Sequence, residues 1–488
     1  MKIKDLIIND EYKSAAYEEP TEVSSCTSDY KKADHNSLLF LLPGVNFDTT
    51  QLIPQFIKSA PCAIVCEDAS KFPKTKIPLI EVKNARRAYA YAVSNFEKID
   101  YNRTVFIGVT GTNGKTSTAT MIFRILAHAG KRCGFIGTGK IEYMGKRLTP
   151  ENYSMTCPDP DLLYPIIKQM QSDGCEVIVM EVSSHALELS KVEPIPFDIA
   201  IFTGLSHEHL EFHGSMENYF HAKEKLICRA RCAIINFDDP KGKELYEKYE
   251  NKSTGIGVVW RSDRNASEVE NYGLCGIGYV YRGKNFLTRI KLPIPGLYNI
   301  YNSMLAFECA YKMNVSPKCI KEALMTLAPI EGRCECINDD ITVIIDYAHT
   351  PFALENILKT ANIDKKSRQK IHLVFGCGGE RDPSKRPMMA AVAEKYADRV
   401  IVTNDNPRSE DEERIISDIT GGFTKKSYAV ITDRAAAIEH AIKSADDSDI
   451  VIIAGKGHEK YICDKNGYHH FDEKEIIYRA LKLRKNEV

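Results

Sequence analysis

Residues 105–117 read Val-Phe-Ile-Gly-Val-Thr-Gly-Thr-Asn-Gly-Lys-Thr-Ser, an apolar run that turns through glycines into a polar segment. The run Val105–Val109 has the length and composition of a buried strand. Beyond Lys115, apolar residues recur at helical spacing up to Ala129, and Gly130 follows as a helix stop. A strand, a glycine turn and a helix in this order let backbone N–H groups surround a phosphate chain at the helix N-terminus. The segment therefore predicts a phosphate-binding loop.

The candidate ligands of this loop are Gly111, Thr112, Asn113, Gly114, Lys115, Thr116 and Ser117. In such loops a lysine reaches the β- and γ-phosphates of a nucleotide, and the hydroxyl that follows it can bind Mg²⁺. Lys115 and Thr116 match those two positions. The spacing is one glycine short of the usual motif, because Val109 stands where the first glycine would be. The alternative is a glycine turn of purely structural use; the flanking strand and helix favour the phosphate site.

The same alternation of strand and helix extends over most of the chain. From about residue 104, apolar runs of strand length alternate with helical segments, which is typical of a parallel sheet with crossover helices. The alternation restarts near residue 332 and predicts a second, Rossmann-like sheet of five or six strands. The polar, glycine-containing segment 251–288 is predicted to be rich in β-strands. The sequence thus predicts an α/β protein with a small N-terminal domain (1–100), a central domain (101–331) and a C-terminal domain (332–488).

The composition excludes several classes of protein. The 488 residues carry 65 basic and 66 acidic side chains, a net charge of −1. This balance argues against a nucleic-acid binder, although it permits a local anion pocket. No apolar run approaches the roughly 18–20 residues of a transmembrane helix, and the first residues lack a signal-peptide pattern. The sequence therefore predicts a cytoplasmic protein without membrane partners, whose 15 cysteines are reduced thiols.

A second group of candidate residues follows the phosphate loop. Glu181 ends an apolar run, so it lies at the C-terminal end of a strand, where open α/β sheets bind ligands. His207, His209 and His213 come next, and then Lys223 on a predicted helix. Three close histidines could indicate zinc, but oxygen-rich neighbours and the phosphate loop favour Mg²⁺ with at most one imidazole ligand. On chemistry alone, Lys223 would be a solvated helix lysine.

A series of short motifs continues to the end of the chain. In order, they are Gly111–Thr116, Met180–His185, His209–Gly214, Ala222-Lys223, Tyr298–Asn302, Gly332–Glu335, Asp346–Pro351, Gly378–Asp382, Asp405–Arg408 and Gly455–Glu459. In this order and spacing the chain resembles the Mur ligases, in particular those that add the third residue to the UDP-N-acetylmuramoyl peptide of bacterial cell walls. The resemblance implies ATP and Mg²⁺ as cofactors, UDP-N-acetylmuramoyl-L-Ala-D-Glu and meso-diaminopimelate as substrates, and a monomer.

The resemblance also implies roles around the nucleotide. Thr116, Glu181 and His209 match the family's magnesium ligands. Lys223 matches a lysine that is carbamylated in the family, which turns a cation into an anionic oxygen ligand. The resemblance therefore implies a metal-binding role for Lys223 instead of a solvated lysine on a helix surface. Two further pairs complete this set: Asn299 and Asn302 match residues beside the adenine, and Arg333 and Asp346 match groups that close the C-terminal domain onto the nucleotide.

The implied reaction explains why such residues are needed. A substrate carboxylate attacks the γ-phosphate of ATP to form an acyl phosphate, and an amine then displaces phosphate to leave an amide. Two anions must approach each other, so Lys115 and Mg²⁺ would offset their repulsion. The acyl phosphate would hydrolyse in water, so domain closure should exclude solvent.

The amino-acid substrate is implied by Arg408. It matches the residue that distinguishes diaminopimelate-adding enzymes from lysine-adding ones, because diaminopimelate carries a second carboxylate that a guanidinium fork binds bidentately. Without the resemblance, Arg408 would read as a surface arginine in a polar loop. The rest of the pocket is implied at Arg381, Asp405, Asn406, Pro407, Gly455 and Glu459, with Glu459 facing the distal ammonium.

The acceptor side departs from the family pattern. The candidates on this side are Ser28, Thr156, Cys157, Ser183 and Lys191, but Cys157 and Lys191, together with Met155, Leu189 and Gly204, replace residues typical of the family. Lysine at 191 lacks the fork geometry of the usual arginine. Two readings stay open: a diaminopimelate ligase with a divergent acceptor site, or a paralogue that joins a different carboxylate and amino acid, for example lysine or a substrate outside peptidoglycan.

Two other classes of protein fit the residues less well. A non-catalytic nucleotide-binding or scaffold protein would not need Lys115, Glu181, His209 and Lys223 together. A P-loop kinase or GTPase would leave the second sheet, with Asp346–Pro351 and Asp405–Arg408, without a role.

Overall fold

The N-terminal part of the chain forms a small five-stranded sheet. The computed structural model describes residues 1–7, 11–15, 22–44, 47–150, 153, 155–366, 368–425 and 427–487. The strands here are β1 (Tyr12–Ala15), β2 (Ser25–Thr27), β3 (Ser37–Phe40), β4 (Ala63–Cys66) and β5 (Leu79–Val82), in the order β1-β5-β4-β3-β2. The helices are α1 (Ile3–Leu6), α2 (Ile53–Lys58) and α3 (Ala85–Phe96). Asn84 caps α3 by accepting a hydrogen bond from the backbone N–H of Arg87 at 2.9 Å.

The central part contains an eleven-stranded sheet. Its strands are β6 (Val105–Thr110), β7 (Cys133–Gly137), β8 (Lys140–Tyr143), β9 (Lys146–Arg147), β10 (Val177–Glu181), β11 (Ile199–Phe202), β12 (Cys232–Asn236), β13 (Ser253–Gly257), β14 (Arg264–Asn271), β15 (Ile277–Arg282) and β16 (Leu287–Leu292). Their order is β16-β15-β14-β13-β12-β11-β6-β10-β7-β8-β9. The predicted β-rich segment therefore extends this sheet: β13 pairs parallel with β12 and β14, whereas β14 pairs antiparallel with β15, and β15 with β16.

Helices cover both faces of the central sheet. They are α4 (Lys115–His128), α5 (Pro160–Ser172), α6 (Ser184–Glu188), α7 (Leu210–His213), α8 (Met216–Arg229), α9 (Pro240–Lys248), α10 (Tyr298–Lys312) and α11 (Pro317–Met325). Side chains of β6 alternate between two cores: Phe106 packs with α5, α8 and the N-terminal sheet, whereas Ile107 and Val109 pack with α4, α10 and α11. The apolar run 197–202 forms a strand only from Ile199 onward, and Phe197 packs against Gly108.

The C-terminal part forms a six-stranded sheet and a hairpin. The sheet strands are β17 (Glu335–Asn338), β18 (Thr342–Asp346), β19 (Ile371–Phe375), β20 (Arg399–Val402), β21 (Tyr428–Val430) and β22 (Ile450–Ala454), in the order β17-β18-β22-β19-β20-β21. The hairpin pairs β23 (Tyr461–Asp464) with β24 (Gly467–His470). The helices are α12 (Pro351–Asp364), α13 (Lys385–Tyr396), α14 (Glu412–Thr420), α15 (Arg434–Ser444) and α16 (Glu473–Glu487).

The α/β class predicted from the sequence is confirmed. All strands of the C-terminal sheet are parallel except β17, whose polar sequence gave no strand signal and which pairs antiparallel to β18 at the edge. Among the described residues, no helix is both long and apolar enough to cross a membrane. Because parallel strands share an edge, the C-terminal ends of β6, β10 and β11 lie together, as do those of β18, β20 and β22. These two edges supply the candidate site.

Candidate active site

The phosphate loop between β6 and α4 depends on glycine at two positions. Gly111 and Gly114 have φ angles of +143° and +84°, in the region that disfavours other residues. A Cβ at Gly111 would lie 1.9 Å from the Thr203 hydroxyl oxygen, and one at Gly114 would lie 2.5 Å from Asn302 Oδ1. Any side chain at these two positions would therefore displace the loop. The first residues of α4 line the cavity that is described below.

Two lysine amines converge on one carbonyl of this loop. Lys115 Nζ donates to the Gly111 and Thr112 carbonyl oxygens at 3.0 and 2.7 Å, and Lys223 Nζ donates to the same Gly111 oxygen at 2.8 Å. Lys223 is only 1% exposed and lies over the Tyr219 ring at 4.4 Å, so it is not the solvated lysine that helix chemistry alone suggests. Burial and the charge of Lys115 hold the pKa of Lys223 well below its usual value. The Lys223 amine is thus less easily protonated here than a lysine in water.

Lys115 is in a different electrostatic position. Burial lowers the pKa of its amine, while the carboxylates of Glu208 and Glu181 oppose that effect. Its amine lines the cavity within the loop, whereas Lys223 approaches the loop from beneath. Lys115 is thus the cation available to a phosphate chain.

Glu181 lies where the sequence places it, at the C-terminal end of β10, and it is fully buried. Its Oε2 accepts hydrogen bonds from the hydroxyls of Thr116 at 2.8 Å and Thr138 at 3.1 Å, and its Oε1 accepts from the Thr138 backbone N–H at 2.9 Å. A carboxylate and a hydroxyl oxygen in contact are suitable donors for Mg²⁺, which prefers oxygen ligands. Thr116 and Glu181 therefore fit the cation that the sequence predicts.

The histidines near this site point in different directions. His209 lines the cavity and lies near two carboxylates, with its ring nitrogens 3.7 Å from Glu208 and 3.6 Å from Glu211. His213 turns away and bonds the Ser184 hydroxyl at 2.9 Å, and His207 lies 3.3 Å from Asp382. Among the described residues, no group of three or more metal-binding side chains is assembled. The described residues thus assemble no zinc ligand set, and His209 lines the same cavity as Thr116 and Glu181.

The two asparagines implied to lie beside the adenine are buried on α10. Asn299 donates to the Pro295 carbonyl at 2.7 Å, and Asn302 donates to Asn299 Oδ1 at 2.8 Å. Asn302 Oδ1 also accepts a hydrogen bond from Thr118 at 3.2 Å. Neither asparagine lines the cavity that contains the phosphate loop. In this structure they hold α10 against the start of α4.

Arg333 and Asp346 act at the junction of the central and C-terminal parts. Arg333 Nη2 donates to the Thr116 hydroxyl at 3.2 Å, and its guanidinium lies over the Tyr347 ring at 4.4 Å. Asp346 is not in the cavity; its carboxylate accepts the backbone N–H groups of Cys334 at 2.7 Å and Ala348 at 2.8 Å. Asp346 therefore positions the loop that carries Arg333.

A second contact between the two parts joins Glu208, which is buried, to His349, which is half-buried. His349 Nε2 lies 2.7 Å from Glu208 Oε1, and Nδ1 lies 2.8 Å from the Tyr347 carbonyl. Since a carbonyl only accepts, Nδ1 carries a proton. Burial alone would raise the pKa of Glu208. The hydrogen bond from His349 and the nearby charges outweigh burial and hold this pKa well below its usual value. This hydrogen bond joins the two edges across the cavity.

A cavity of about 370 Å³ spans both edges. Of the predicted site residues, it is lined by Thr112, Asn113, Gly114, Lys115, Thr116, Ser117, Thr156, Glu181, His209, Arg333, Arg381, Asp405, Asn406, Arg408, Gly455 and Glu459. The other predicted residues lie outside this lining: Gly111, Asn299, Asn302, Asp346, Lys223, Ser28, Cys157, Ser183, Lys191 and Pro407. The phosphate loop and the arginine-lined pocket therefore open into the same space.

The far end of the cavity is organised by Lys456, which is fully buried. Its amine donates to Asn406 Oδ1 at 2.9 Å and Glu459 Oε2 at 3.4 Å, and it lies 3.8 Å from Asp405. Asn406 Nδ2 donates to Glu459 Oε2 at 2.8 Å. Burial alone would raise the pKa of Asp405, but the charges of Lys456 and Arg434 outweigh that effect and lower this pKa. Asn406 and Glu459 are thereby held in one orientation.

Arg408 has a left-handed backbone, with φ of +56°. Its N–H donates to the Cys463 carbonyl at 2.9 Å, and its Nη1 donates to the Gly379 carbonyl at 2.6 Å. Within the described part of the chain, its Nε and Nη2 groups have no hydrogen-bond partner, so they remain available to a ligand carboxylate. Arg381 lines the cavity nearby, and the Pro407 carbonyl packs against Gly379.

The acceptor-side candidates do not converge in this structure. Thr156 bonds the Thr138 hydroxyl at 3.0 Å in the cavity, and Lys191 pairs with Asp159 at 2.7 Å. Ser183 caps α6 by accepting the Ala186 N–H at 3.1 Å. Cys157 is buried, which raises the pKa of its thiol to about 12, and Ser28 follows β2 in the N-terminal sheet. Of these five candidates, Thr156 contacts the Thr138 hydroxyl that donates to Glu181.

Sequence reasoning did not single out Thr138, Glu208, Tyr347, His349 and Lys456, all of which hold the site together. Four of them stand beside residues that were identified or inside the quoted motifs: Glu208 precedes His209, Tyr347 and His349 follow Asp346, and Lys456 follows Gly455. A charged or aromatic residue inside or directly beside a quoted motif could have been a signal for these four. Thr138 had no local signal, since it follows an ordinary strand.

The matches to known proteins agree with this geometry. Residues 109–310 match the Mur ligase middle domain, and residues 332–457 match the Mur ligase, glutamate ligase domain. The chain belongs to the Mur ligase family and is an ATP-dependent ligase.

Individual relatives are similar over the whole chain. The UDP-N-acetylmuramoyl-L-alanyl-D-glutamate–2,6-diaminopimelate ligase of Clostridioides difficile (strain 630) is 38% identical over 490 residues, 99% of each chain. The ligase of that name from Caldanaerobacter subterraneus subsp. tengcongensis is 38% identical over 94% of this chain and 95% of its own. A solved structure of such a ligase, at 26% identity, covers 96% of each chain with a TM-score of 0.67. MurF from Thermotoga maritima in complex with ADP shares the fold, with a TM-score of 0.62 at 16% identity over 96% of this chain and all of its own.

Proposed function

We propose that this protein uses ATP to join meso-diaminopimelate to UDP-N-acetylmuramoyl-L-Ala-D-Glu, a step in peptidoglycan synthesis. The observation that carries the proposal is the shared cavity, in which the phosphate loop and the Arg408 pocket face the same space. Full-length relatives named for this reaction support it. Arg408 offers the N–H groups of its Nε and Nη2 to the second carboxylate of diaminopimelate, and Glu459 offers a carboxylate to its distal ammonium.

The proposed chemistry uses the residues as they are arranged. The acceptor carboxylate attacks the γ-phosphorus of ATP, which forms an acyl phosphate and releases ADP. The incoming amine then attacks the acyl carbon, inorganic phosphate leaves, and the nitrogen loses a proton to give the amide. Lys115 and the backbone N–H groups of the loop stabilise the charge on the transferring phosphoryl group. Arg333 and the Glu208–His349 pair bring the C-terminal edge over the loop and exclude water.

A magnesium ion at this site would offset the repulsion between the two anions. Thr116 and Glu181 would hold it, with His209 nearby. We assign Lys223 to the same site as a carbamate, because its buried amine lies beneath the loop. An unmodified ammonium only donates hydrogen bonds and could not be a metal ligand.

The three sheets suggest a division of labour. We assign residues 1–100 to the UDP-sugar, 101–331 to ATP and 332–488 to the amino acid, in a monomer acting in the cytoplasm, where ATP is available. The N-terminal sheet packs against the same core as α5 and α8, which carries it next to Lys191 and Ser183.

The proposal is tested by phosphate release from ATP with purified protein. We expect turnover only when UDP-N-acetylmuramoyl-L-Ala-D-Glu and meso-diaminopimelate are both present. Equal turnover with L-lysine would contradict the assignment of Arg408. Turnover that requires a different carboxylate acceptor would favour the paralogue, which the departures at Cys157, Leu189 and Lys191 leave possible.

Replacement of Arg408 by alanine is expected to raise the KM for meso-diaminopimelate about 10- to 100-fold, because a charge-assisted bidentate contact is lost. The KM for ATP should change less than threefold, since Arg408 contacts the loops of the C-terminal edge and not the phosphate loop. Steady-state kinetics with each substrate varied in turn measures both constants.

Arg414→Ala is the matched control, because Arg414 is an exposed arginine on the neighbouring helix α14. It should leave both KM values within twofold of the wild type. An Arg408→Ala enzyme with an unchanged KM for diaminopimelate would show that the second carboxylate binds elsewhere.

A further inference from the structure

His458 lies between two residues of the proposed amino-acid pocket and reaches out of it. It belongs to the loop after β22 that carries Gly455 and Glu459. The loop is fixed on the C-terminal sheet: Gly455 donates its N–H to the Asp346 carbonyl at 3.0 Å, and Glu459 donates its N–H to the Lys456 carbonyl at 3.0 Å. The His458 ring leaves this sheet and meets the central one. It is therefore the link between the pocket loop and the ATP-binding part.

The surface that receives His458 is the turn at Gly139, between β7 and β8. A Cβ at Gly139 would lie 2.6 Å from His458 Nε2 and 2.8 Å from its Cδ2. On its other sides the ring stacks on Tyr347, with centroids 5.4 Å apart and planes at 27°, and the His458 backbone nitrogen would lie 2.3 Å from a Cβ at Gly332. The absence of side chains at Gly139 and Gly332 makes room for this residue.

The imidazole makes this contact as a neutral ring. Burial lowers the pKa of His458 to about 3, and the charges of Arg333, Arg147 and Lys474 act in the same direction. The contact with Gly139 is thus close packing of a planar ring and not an ion pair.

The turn that His458 meets also touches the other two substrate sites. Thr138, the residue before Gly139, holds both oxygens of Glu181 through its N–H and its hydroxyl. The same hydroxyl contacts Thr156 at 3.0 Å, and the Gly139 N–H donates to the Met155 carbonyl at 3.4 Å. A short path of contacts therefore runs from Glu181 through Thr138, Gly139 and His458 to Glu459.

We propose that His458 is a positioning residue, whose contact with Gly139 sets the location of Glu459 relative to Glu181 and so aligns the amino acid with the phosphate site. The inference rests on the proposed function, in which Glu459 binds the distal ammonium. A misplacement of about 1 Å at a reacting centre can lower a rate by as much as 10²-fold, so a displaced His458 should weaken productive binding of the amino acid.

The test compares two glycine substitutions with equal backbone strain. Gly139 and Gly145 have φ angles of +72° and +73° in successive turns, but a Cβ at Gly145 would have no atom within 4 Å. Gly139→Ala should raise the KM for meso-diaminopimelate about tenfold, with the KM for ATP changed less than threefold. Gly145→Ala should leave both constants within twofold of the wild type. Initial rates of phosphate release measure all of them.

A double-mutant cycle separates positioning from general damage to the turn. His458→Ala should itself raise the KM for diaminopimelate about tenfold, and Gly139→Ala should add less than twofold in that background, since the ring it displaces is gone. Full additivity of the two effects, or an unchanged KM in His458→Ala, would overturn the proposal. Equal KM values for Gly139→Ala and Gly145→Ala in an active enzyme would do the same. If the wild-type protein shows no turnover that depends on diaminopimelate, that result would instead contradict the proposed function.

Discussion

Replacement of Lys115 by alanine is expected to lower kcat/KM for the ligase reaction about 10³-fold, or about 4 kcal/mol of transition-state stabilisation. The reason is its position: the amine is held by two carbonyls of the phosphate loop and opens into the cavity. In a site that excludes water, no other group on the loop can supply that positive charge to the transferring phosphoryl group. Phosphate release at saturating acceptor and amino acid measures the loss.

Lys131→Ala is the matched control for this variant. Lys131 is exposed and lies just beyond the same helix, α4. It should retain wild-type kinetics. Activity of Lys115→Ala within tenfold of the wild type would mean that the loop acts through its backbone N–H groups alone.

Replacement of Lys223 by alanine is expected to lower kcat about 10²- to 10³-fold. If Lys223 acts as a carbamate, the variant loses an anionic oxygen ligand beside Thr116 and Glu181. Addition of a short-chain carboxylic acid should then restore part of the activity, because its carboxylate can occupy the space of the carbamate. The dependence of kcat on acid concentration is the measurement.

Lys225→Ala on the same helix controls for the loss of a lysine, since Lys225 is exposed and forms an ion pair with Glu188 at 2.6 Å. Exposed pairs of this kind contribute little to stability, so wild-type activity is expected. Wild-type rates in Lys223→Ala would rule out the carbamate. A low rate that no short-chain acid improves, in a variant that still melts like the wild type, would also contradict it.

Local features of the site were predictable because their signals are short. The apolar run of β6, the glycines and the helical spacing of α4 lie within about 25 residues of one another, and strand and helix patterns act over this range. The position of Glu181 followed from the same rule, since an acidic residue at the end of a buried run lies at a sheet edge.

Long-range features were harder to predict. The run at 251–288 was expected to be β-rich, but the pattern of one segment does not show that its strands extend the central sheet. β17 was missed because edge strands are short and polar, so their sequences resemble loops. Asn299 and Asn302 were assigned to the adenine by resemblance, whereas their amides here bond the Pro295 carbonyl and each other.

By itself, the sequence determined the α/β class, the phosphate loop and, through its ordered motifs, the ligase family, because these depend on residue types at short spacing. Only the tertiary structure decided how the parts meet. The hydrogen bond from Lys223 to the Gly111 carbonyl, which also accepts from Lys115, joins residues 112 positions apart, and the Glu208–His349 pair joins residues 141 positions apart. Contacts between residues so far apart in the sequence depend on how the sheets and helices pack. The burial and the electrostatic surroundings of each side chain depend in turn on those contacts.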